Sequence, residues 1–287
     1  MSTDAVLYDH PGPRAKIRNA VLTVVFGIAL LALLYWVYLK FDEKGQWAAA
    51  LWKPFTESST WTDYLLPGLW ATVSAAAVAM ALSLIFGLVF SVGRLSDHRW
   101  LSVPAGMIVE FFRAVPLLLL MFFIFYGIPF ISESPMPPFW AVVAGLTLYN
   151  GSVLAEAFRA GIKSVPRGQS EAGYAIGMRK SQVMQEILVP QAARAMLPVI
   201  VSQLVVLVKD TALGYIIGYP ELLQSVNNLA ANFGNIVAAA IVAAIIYIAV
   251  NASLTSLASW LERRTRRKGK APKAAGPVPV VGAVNEP

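Results

Sequence analysis

Two long uncharged apolar runs restrict what this chain can fold into. Residues 20–39 supply 20 such residues, and residues 65–93 supply 29. As a helix, about 20 residues at 1.5 Å each cross the ~30 Å hydrocarbon core of a bilayer. Inside lipid every backbone N–H and C=O needs an internal partner, which a helix provides within its own segment. The two runs therefore predict membrane-spanning helices and an all-α integral membrane protein.

Four more apolar runs raise the expected number of transmembrane helices to about six. They cover approximately residues 107–130, 139–158, 196–217 and 236–254. The composition agrees, because only 14% of the residues are charged while 57% are hydrophobic, which is too apolar for a soluble domain.

Few residues of this chain are suited to covalent or metal chemistry. The chain has no cysteine, and its two histidines, His10 and His98, lack the spacing of metal ligands. The sequence also has no G-x-x-x-x-G-K-[ST] phosphate-binding loop, so we do not expect it to hydrolyse ATP. We predict no catalytic residue, no metal and no cofactor.

The basic residues are distributed unevenly among the loops. With a cytoplasmic N-terminus, 18 of the 23 Lys and Arg residues fall on the cytoplasmic side and three on the outer side. Because positively charged loops stay in the cytoplasm, both termini and the loop 164–190 are predicted to be cytoplasmic. This distribution also accounts for the net charge of +7, and no nucleic-acid partner is expected.

Residues 164–190 form the longest polar interval between the apolar blocks. Pro166 suits the first turn of a helix, and Gly177 suits the left-handed position just after one. Ser181 can cap a second short helix, which Pro190 would end or kink. The interval is thus predicted to be two short helices separated by a bend.

The first of these short helices presents a narrow face of small residues. Ala172, Ala175 and Ile176 recur at helical spacing beside Glu171. Such a face can dock closely against another surface. A cytosolic loop that lies on its own membrane domain is the plain alternative.

The interval resembles the EAA loop of ABC-importer permeases. The pattern is Glu-Ala-Ala, three residues, Gly, nine residues, Ile, one residue and Leu-Pro, and this chain keeps those spacings. It departs at Gly173, where Ala is usual, and at Val189, where Leu is usual. In the family this loop sits in a cleft of a separate ATPase subunit, so the resemblance implies a type I permease architecture. The implied ATPase-coupling residues are Glu171, Ala172, Gly173, Gly177, Ile187 and Pro190.

The resemblance extends from about residue 66 to residue 261. The segments PGLWATVS, VEFFRAVPLLL, AEAFRAGIKSVPRGQSEAG and LVKDTALGYIIG are similar to permeases for polar amino acids. The N-terminal block, with LYDHPGPR and an added helix, resembles glutamate-uptake permeases of actinobacteria. The resemblance divides the chain into an N-terminal segment with an extra helix and an extracytoplasmic loop (1–64), a permease domain (65–261) and a basic tail expected to be disordered (262–287).

Polar residues within the spans are candidates for a substrate pathway, because they are costly there without a role. Asn150 and the Lys209-Asp210-Thr211 run lie well inside their spans, and Glu156 lies towards the end of its span. We predict that Asn150, Glu156, Lys209 and Thr211 surround a central polar cavity, with Lys209 placed to attract a substrate carboxylate. Asp210 belongs to the same predicted pathway, but it points about 100° away from Lys209 around an ideal helix. The alternative is that Lys209 pairs with a carboxylate on a neighbouring span, such as Glu156, and serves only packing.

Two further charge pairs occur at i, i+3 spacing near the cytoplasmic ends of spans. Glu110 can pair with Arg113, and Glu156 can pair with Arg159 on one helix face. Both are interpreted as structural pairs near the membrane interface.

The resemblance implies the permease subunit of an ATP-driven importer for a polar amino acid, with glutamate as the expected substrate, in a bacterial cell membrane. It also implies three partners: an ATPase subunit, a second permease subunit and an extracytoplasmic substrate-binding protein. From the residues alone, an ion- or proton-coupled secondary transporter that uses Lys209, Asp210 and Glu156 is the competing function. An intramembrane enzyme is disfavoured by the missing Cys and His clusters.

Overall fold

The computed structural model describes residues 12–268. Short helical turns at Ala49–Trp52 and Lys53–Thr56 connect the first two long helices. In chain order the longer helices are α1 (Pro13–Glu43), α2 (Ser58–Arg94), α3 (Arg99–Ala114), α4 (Leu117–Ser132), α5 (Pro138–Lys163), α6 (Arg167–Ala175), α7 (Lys180–Ile217), α8 (Leu222–Phe233) and α9 (Ile236–Lys268).

The helical membrane-protein class predicted from the sequence is confirmed. Within the described residues, α1, α2, α5, α7 and α9 are each long and apolar enough to cross a membrane. The bent pair α3 and α4 passes the same test only when the two helices are taken together, which gives up to six spans.

The third span differs from the uninterrupted helix predicted at 107–130. The chain bends by 100° between α3 and α4. Val115 (ψ 129°) and Pro116 (ψ 132°) are extended at the break. A proline lacks the backbone N–H and disfavours helical geometry at the residue before it, so the helix ends there.

Pro190 does not end the second helix, which was one of its two expected effects, because helix α7 continues through it. A π-turn at Val183–Leu188 directly precedes the proline. A proline ring clashes with the carbonyl four residues earlier, here that of Glu186, and the wider π-turn leaves that carbonyl room. The same order recurs at the π-turns Trp61–Leu65 before Pro67 and Phe123–Gly127 before Pro129.

The main helix pair of the core is α2 with α5. A Cβ added at Gly87 would lie 2.9 Å from Leu154 Cβ, and one added at Gly151 would lie 2.8 Å from Phe86 Cδ1. Glycine on both helices therefore allows the backbones to approach closely, as is common between membrane helices. Helix α7 packs on α5 and on α9 to complete the bundle.

The segment that follows α1 contacts the bundle. None of the residues of α1 is buried, and its Tyr38 ring stacks on Trp47 at 5.5 Å. The Asn235 amide, just before α9, donates to the Leu51 carbonyl at 2.9 Å. At the other end of the chain, α9 remains helical through 262–268, which we expected to be disordered. The rest of the predicted tail lies outside the described residues.

Candidate functional site

Helix α6 lies in the loop 164–190, called the coupling loop after its predicted role, and packs against the beginning of α7. Gly173 is the buried residue of α6. A Cβ there would lie 2.9 Å from both Ile187 Cδ1 and Val183 Cγ2. Glycine, where the family has Ala, thus lets α6 lie directly on two branched side chains of α7. Two of the predicted coupling residues, Gly173 and Ile187, are brought together here.

Gly177 ends α6 in the left-handed conformation that the sequence predicted. Its φ is +82°, a region that glycine adopts without steric cost. Its N–H donates to the Tyr174 carbonyl at 3.0 Å, and the next N–H, of Met178, donates to the Gly173 carbonyl at 3.1 Å. These bonds satisfy the last carbonyls of the helix. The second helix starts after Arg179, whose N–H donates to Gln182 Oε1 at 2.8 Å, so Ser181 is not its cap.

The face of α6 that points away from α7 is exposed. Glu171, Ala172 and Ala175 are exposed, together with Tyr174 (48%) and Ile176 (80%). Pro190 is also exposed, on the first α-helical turn after the π-turn. Tyr174, Ala175 and Ile176 lie outside the candidate spans, and an exposed apolar patch of this kind is typical of a contact surface.

An ion cluster lies at the coupling-loop end of the bundle. Arg94 Nη1 is 2.9 Å from Glu156 Oε2, and Glu156 also pairs with Arg159 on its own helix. Arg94 Nη2 is 3.4 Å from Glu110 Oε1, so Glu110 has Arg94 as its partner, while Arg113 was expected. The cluster joins α2, α3 and α5. No local sequence pattern indicates the role of Arg94, because its partners lie on other helices, far away in sequence.

Asn150 is fully buried in the contact between α5 and α7. Its Oδ1 accepts a hydrogen bond from Gln203 Nε2, and its Nδ2 donates to the Leu146 carbonyl at 3.1 Å. Gln203 was not among the predicted residues, although an amide within an apolar run is a signal for interhelical bonding.

The Lys209-Asp210-Thr211 run marks a change of helix type in α7. The α-helix ends at Asp210, and a 3₁₀-helix covers Thr211–Ile217. Thr211 is buried and donates to the Val208 carbonyl at 2.8 Å, whereas Lys209 is exposed. Among the residues whose side chains the structure describes (12–257, 259 and 260), no carboxylate oxygen lies within 4.0 Å of Lys209 Nζ.

The five predicted pathway residues therefore lie in three groups. Asn150 bonds to Gln203, Glu156 belongs to the ion cluster, and residues 209–211 lie at the helix transition. The alternative pair between Lys209 and Glu156 is not formed, since Glu156 is held by two arginines.

A buried carboxylate that sequence reasoning missed lies at the start of α8. Glu221 is 0% exposed and accepts the N–H groups of Leu223 and Gln224, each at 2.9 Å. The Tyr247 hydroxyl of α9 donates to it at 2.7 Å. Burial raises the pKa of Glu221 above its ordinary value, and the three donors oppose that rise. The residue caps α8 and ties it to α9.

Within the described part of the chain, no three His, Asp or Glu side chains are grouped so that they could hold a metal ion. Multiple spans and an exposed loop helix of EAA spacing define the class as the permease subunits of ABC importers. Residues 83–267 match the family of binding-protein-dependent transport system inner membrane components, and the chain belongs to this family.

Similar proteins support the same class. The chain is 47% identical over 224 residues to the glutamate transport system permease protein GluD of Corynebacterium glutamicum, covering 77% of this chain and 82% of that protein. It is 36% identical to the probable glutamine ABC transporter permease protein GlnP of Bacillus subtilis, over 70% of this chain and 93% of GlnP. A crystal structure of an amino acid ABC transporter with histidines matches with a TM-score of 0.67 and 27% identity, over 71% of this chain and 95% of that one.

The prediction of an ABC permease for amino acids is confirmed by these comparisons. The protein is a multi-pass inner membrane protein and the transmembrane component of the transporter, separate from the ATPase. Membership implies an ATPase and a substrate-binding protein as partners. The competing function of an ion-coupled secondary transporter is set aside, because the chain belongs to the binding-protein-dependent family.

Proposed function

We propose that this chain is a translocation subunit of an ATP-driven glutamate importer. The observation that carries the proposal is the exposed apolar face of α6, held outside the spans by a loop with EAA spacing. Glutamate as the substrate is supported by the 47% identity to a glutamate transport permease.

The coupling loop transmits movement from the ATPase to the spans. The exposed residues Glu171 and Ala172 dock on the ATPase, and Gly177 sets the end of the docking helix. Gly173 packs directly against Ile187. Ile187 is part of the continuous helix Lys180–Ile217, which also contains the membrane span that begins near Pro190. A push on α6 is thereby passed to α7 as a rigid-body displacement, and the spans open alternately to each side.

The substrate pathway passes the α-to-3₁₀ transition of α7. Lys209 is exposed and has no carboxylate partner among the described residues, so it can attract a substrate carboxylate. Asp210 and Thr211 shape the backbone there. Asn150 and Glu156 act through their helix contacts, which fix the position of α5 beside the pathway.

The proposed orientation places both termini and the coupling loop in the cytoplasm. It rests on the 18 of 23 basic residues that fall on that side. A second permease subunit completes the translocation unit about a pseudo-two-fold axis. The division into an N-terminal block (1–64), a permease domain (65–261) and a basic tail (262–287) is part of the same proposal.

Competition for uptake tests the proposed substrate. Cells that lack their own glutamate uptake receive this permease with its ATPase, binding protein and permease partner, and uptake of labelled glutamate is measured. Excess unlabelled glutamate should abolish the signal, while excess glutamine or arginine should leave it unchanged. Uptake of labelled glutamine that exceeds glutamate uptake would overturn the assignment of glutamate.

A further inference from the structure

An apolar groove opens at the coupling-loop end of the bundle. It lies between the ends of α2 and α5 and the beginning of α7, with a volume of about 450 Å³. A second cavity of about 290 Å³ continues from it along α2, and both are lined by Val92, Ile162 and Val189. The two cavities are therefore adjacent along the bundle surface, and we refer to them together as the groove.

The polar side chains of this groove are confined to one end. That end is formed by Ser96, Asp97, His98, Lys180 and Ser181. Towards the middle of the bundle the walls are apolar apart from Ser91, which is itself buried. The groove therefore suits an elongated molecule that has a polar head and an apolar tail.

The length of the groove matches one leaflet of a bilayer. Its lining residues on α2 and the following loop extend from Leu84 to His98. The helical part, from Leu84 to Arg94, rises about 15 Å at 1.5 Å per residue. Half of a ~30 Å hydrocarbon core is also about 15 Å. Val92 (69% exposed) and Leu88 (54%) leave the groove open to the side.

The polar end carries the features of a membrane interface with an excess of positive charge. Trp100 is 75% exposed next to this end, and its ring stacks with His98 at 6.1 Å. Exposed tryptophan is typical of the headgroup region. Lys180 pairs with Asp97, and the adjacent Arg99 and Arg179 are exposed and have no carboxylate within 4.0 Å in the described chain.

We propose that the groove binds one acyl chain of an anionic phospholipid, with the phosphate at Arg179 and Lys180, whose combined positive charge exceeds the negative charge of Asp97. The lipid bridges the loop after α2 and the first turn of α7, so it contacts the segment that carries the coupling loop. The lipid is assigned to the inner leaflet because the coupling loop is proposed to be cytoplasmic. The other occupant that an apolar groove of this kind could have is a helix of the second permease subunit.

Photolabelling of the assembled transporter in nanodiscs tests the lipid site. The probes are phosphatidylglycerol and phosphatidylcholine that carry a photoreactive group on the acyl chain, and labelled residues are mapped by mass spectrometry. We expect phosphatidylglycerol to label the groove around Val92 and Met184 about fivefold more than phosphatidylcholine, since one cation near a membrane contributes that factor. Equal labelling by the two lipids, or absence of label from the groove, would overturn the proposal.

Matched variants distinguish lipid binding in the groove from general contact between lipid and the protein surface. Val92→Trp fills the groove and should remove most of the label, while Val89→Trp, on an exposed position of α2 outside the lining, should not. Lys180→Gln should reduce the preference for phosphatidylglycerol about fivefold, and Lys163→Gln should not. Since Lys180 is exposed, its variant keeps the test valid if Val92→Trp does not assemble.

A groove occupied by the second permease subunit gives a different result. Cysteines at Val92 and in the partner permease would then crosslink, and lipid label would be absent, which overturns the proposal. Labelling needs no transport or ATP. A failed lipid site is therefore distinguishable from a failed assignment of function.

Discussion

Arg94 at the end of α2 lies 2.9 Å from the carboxylate of Glu156 on α5. The same carboxylate pairs with Arg159, and Arg94 also reaches Glu110 of α3 at 3.4 Å. Arg94 is 13% exposed at its side chain and Glu110 is 71% exposed. One carboxylate on α5 thus holds two guanidinium groups at the end of the bundle from which the coupling loop begins.

Replacement of Glu156 by Gln should destabilise the bundle. Two partly buried guanidinium groups lose their charged acceptor, at a cost of about 1–3 kcal/mol in the free energy of unfolding. The melting temperature in detergent measures the effect. Glu110→Gln is the control, because an exposed pair contributes about 0–1 kcal/mol. Equal shifts for the two variants would contradict the central place of Glu156 in the cluster.

Substitutions at Gly177 should show whether uptake depends on its left-handed backbone conformation or on the size of the side chain at this position. Gly177→Val forces a branched residue to φ +82° and should impair uptake, while Gly177→Asn, which tolerates this region, should retain much of it. No atom lies within 4 Å of a Cβ built there, so intramolecular crowding is not the cause. ATP-driven uptake is the measurement, with Gly168→Ala as a control in the same helix. Normal uptake by Gly177→Val would rule out the need for a left-handed residue.

The hydrogen bond between Asn150 and Gln203 should show strong coupling. Asn150→Leu leaves a buried amide of Gln203 without its acceptor and should cost about 1 kcal/mol of stability. The double variant Asn150→Leu/Gln203→Leu should recover part of that loss, because both polar groups are then removed. Thermal unfolding of the two single variants and the double variant measures the coupling energy. Additive losses would show that the two side chains act independently.

Lys209→Met tests the pathway without breaking an ion pair. Because no carboxylate lies within 4.0 Å of Lys209 in the described chain, the complex should assemble normally. Uptake should fall if Lys209 attracts the substrate carboxylate. Copurification of the subunits reports assembly, labelled uptake reports transport, and Lys163→Met is the control. Unchanged affinity and rate would remove Lys209 from the pathway.

Two prolines show what the sequence could and could not predict. Hydropathy alone predicted the spans, because a bilayer demands long apolar helices whatever their contacts. Pro116 ends a helix, yet Pro190 lies inside one after a π-turn. The effect of a proline depends on whether the earlier carbonyl can move aside, and that depends on neighbouring helices.

The sequence predicted those parts of the candidate site that depend only on residues close together in the chain. Gly177 and the spacing of the loop depend on nearby residues, so the sequence predicted both the left-handed turn and the loop helix. The contacts of Arg94 and Gln203 depend on the register and rotation of separate helices, which no local pattern specifies. The exposed Ile176 belongs to the docking face that the sequence predicted, whereas the exposed Tyr174 beside it was missed.

Reconstituted transport tests the central claim most directly. The permease, its permease partner and the ATPase are placed in proteoliposomes with the binding protein on the opposite side from the ATPase. We predict glutamate uptake that requires ATP hydrolysis and the binding protein, and that falls to background in Glu171→Lys while glutamate still binds the binding protein. Glutamate uptake driven by an ion gradient without ATP, or full ATP-driven uptake by Glu171→Lys, would contradict the account.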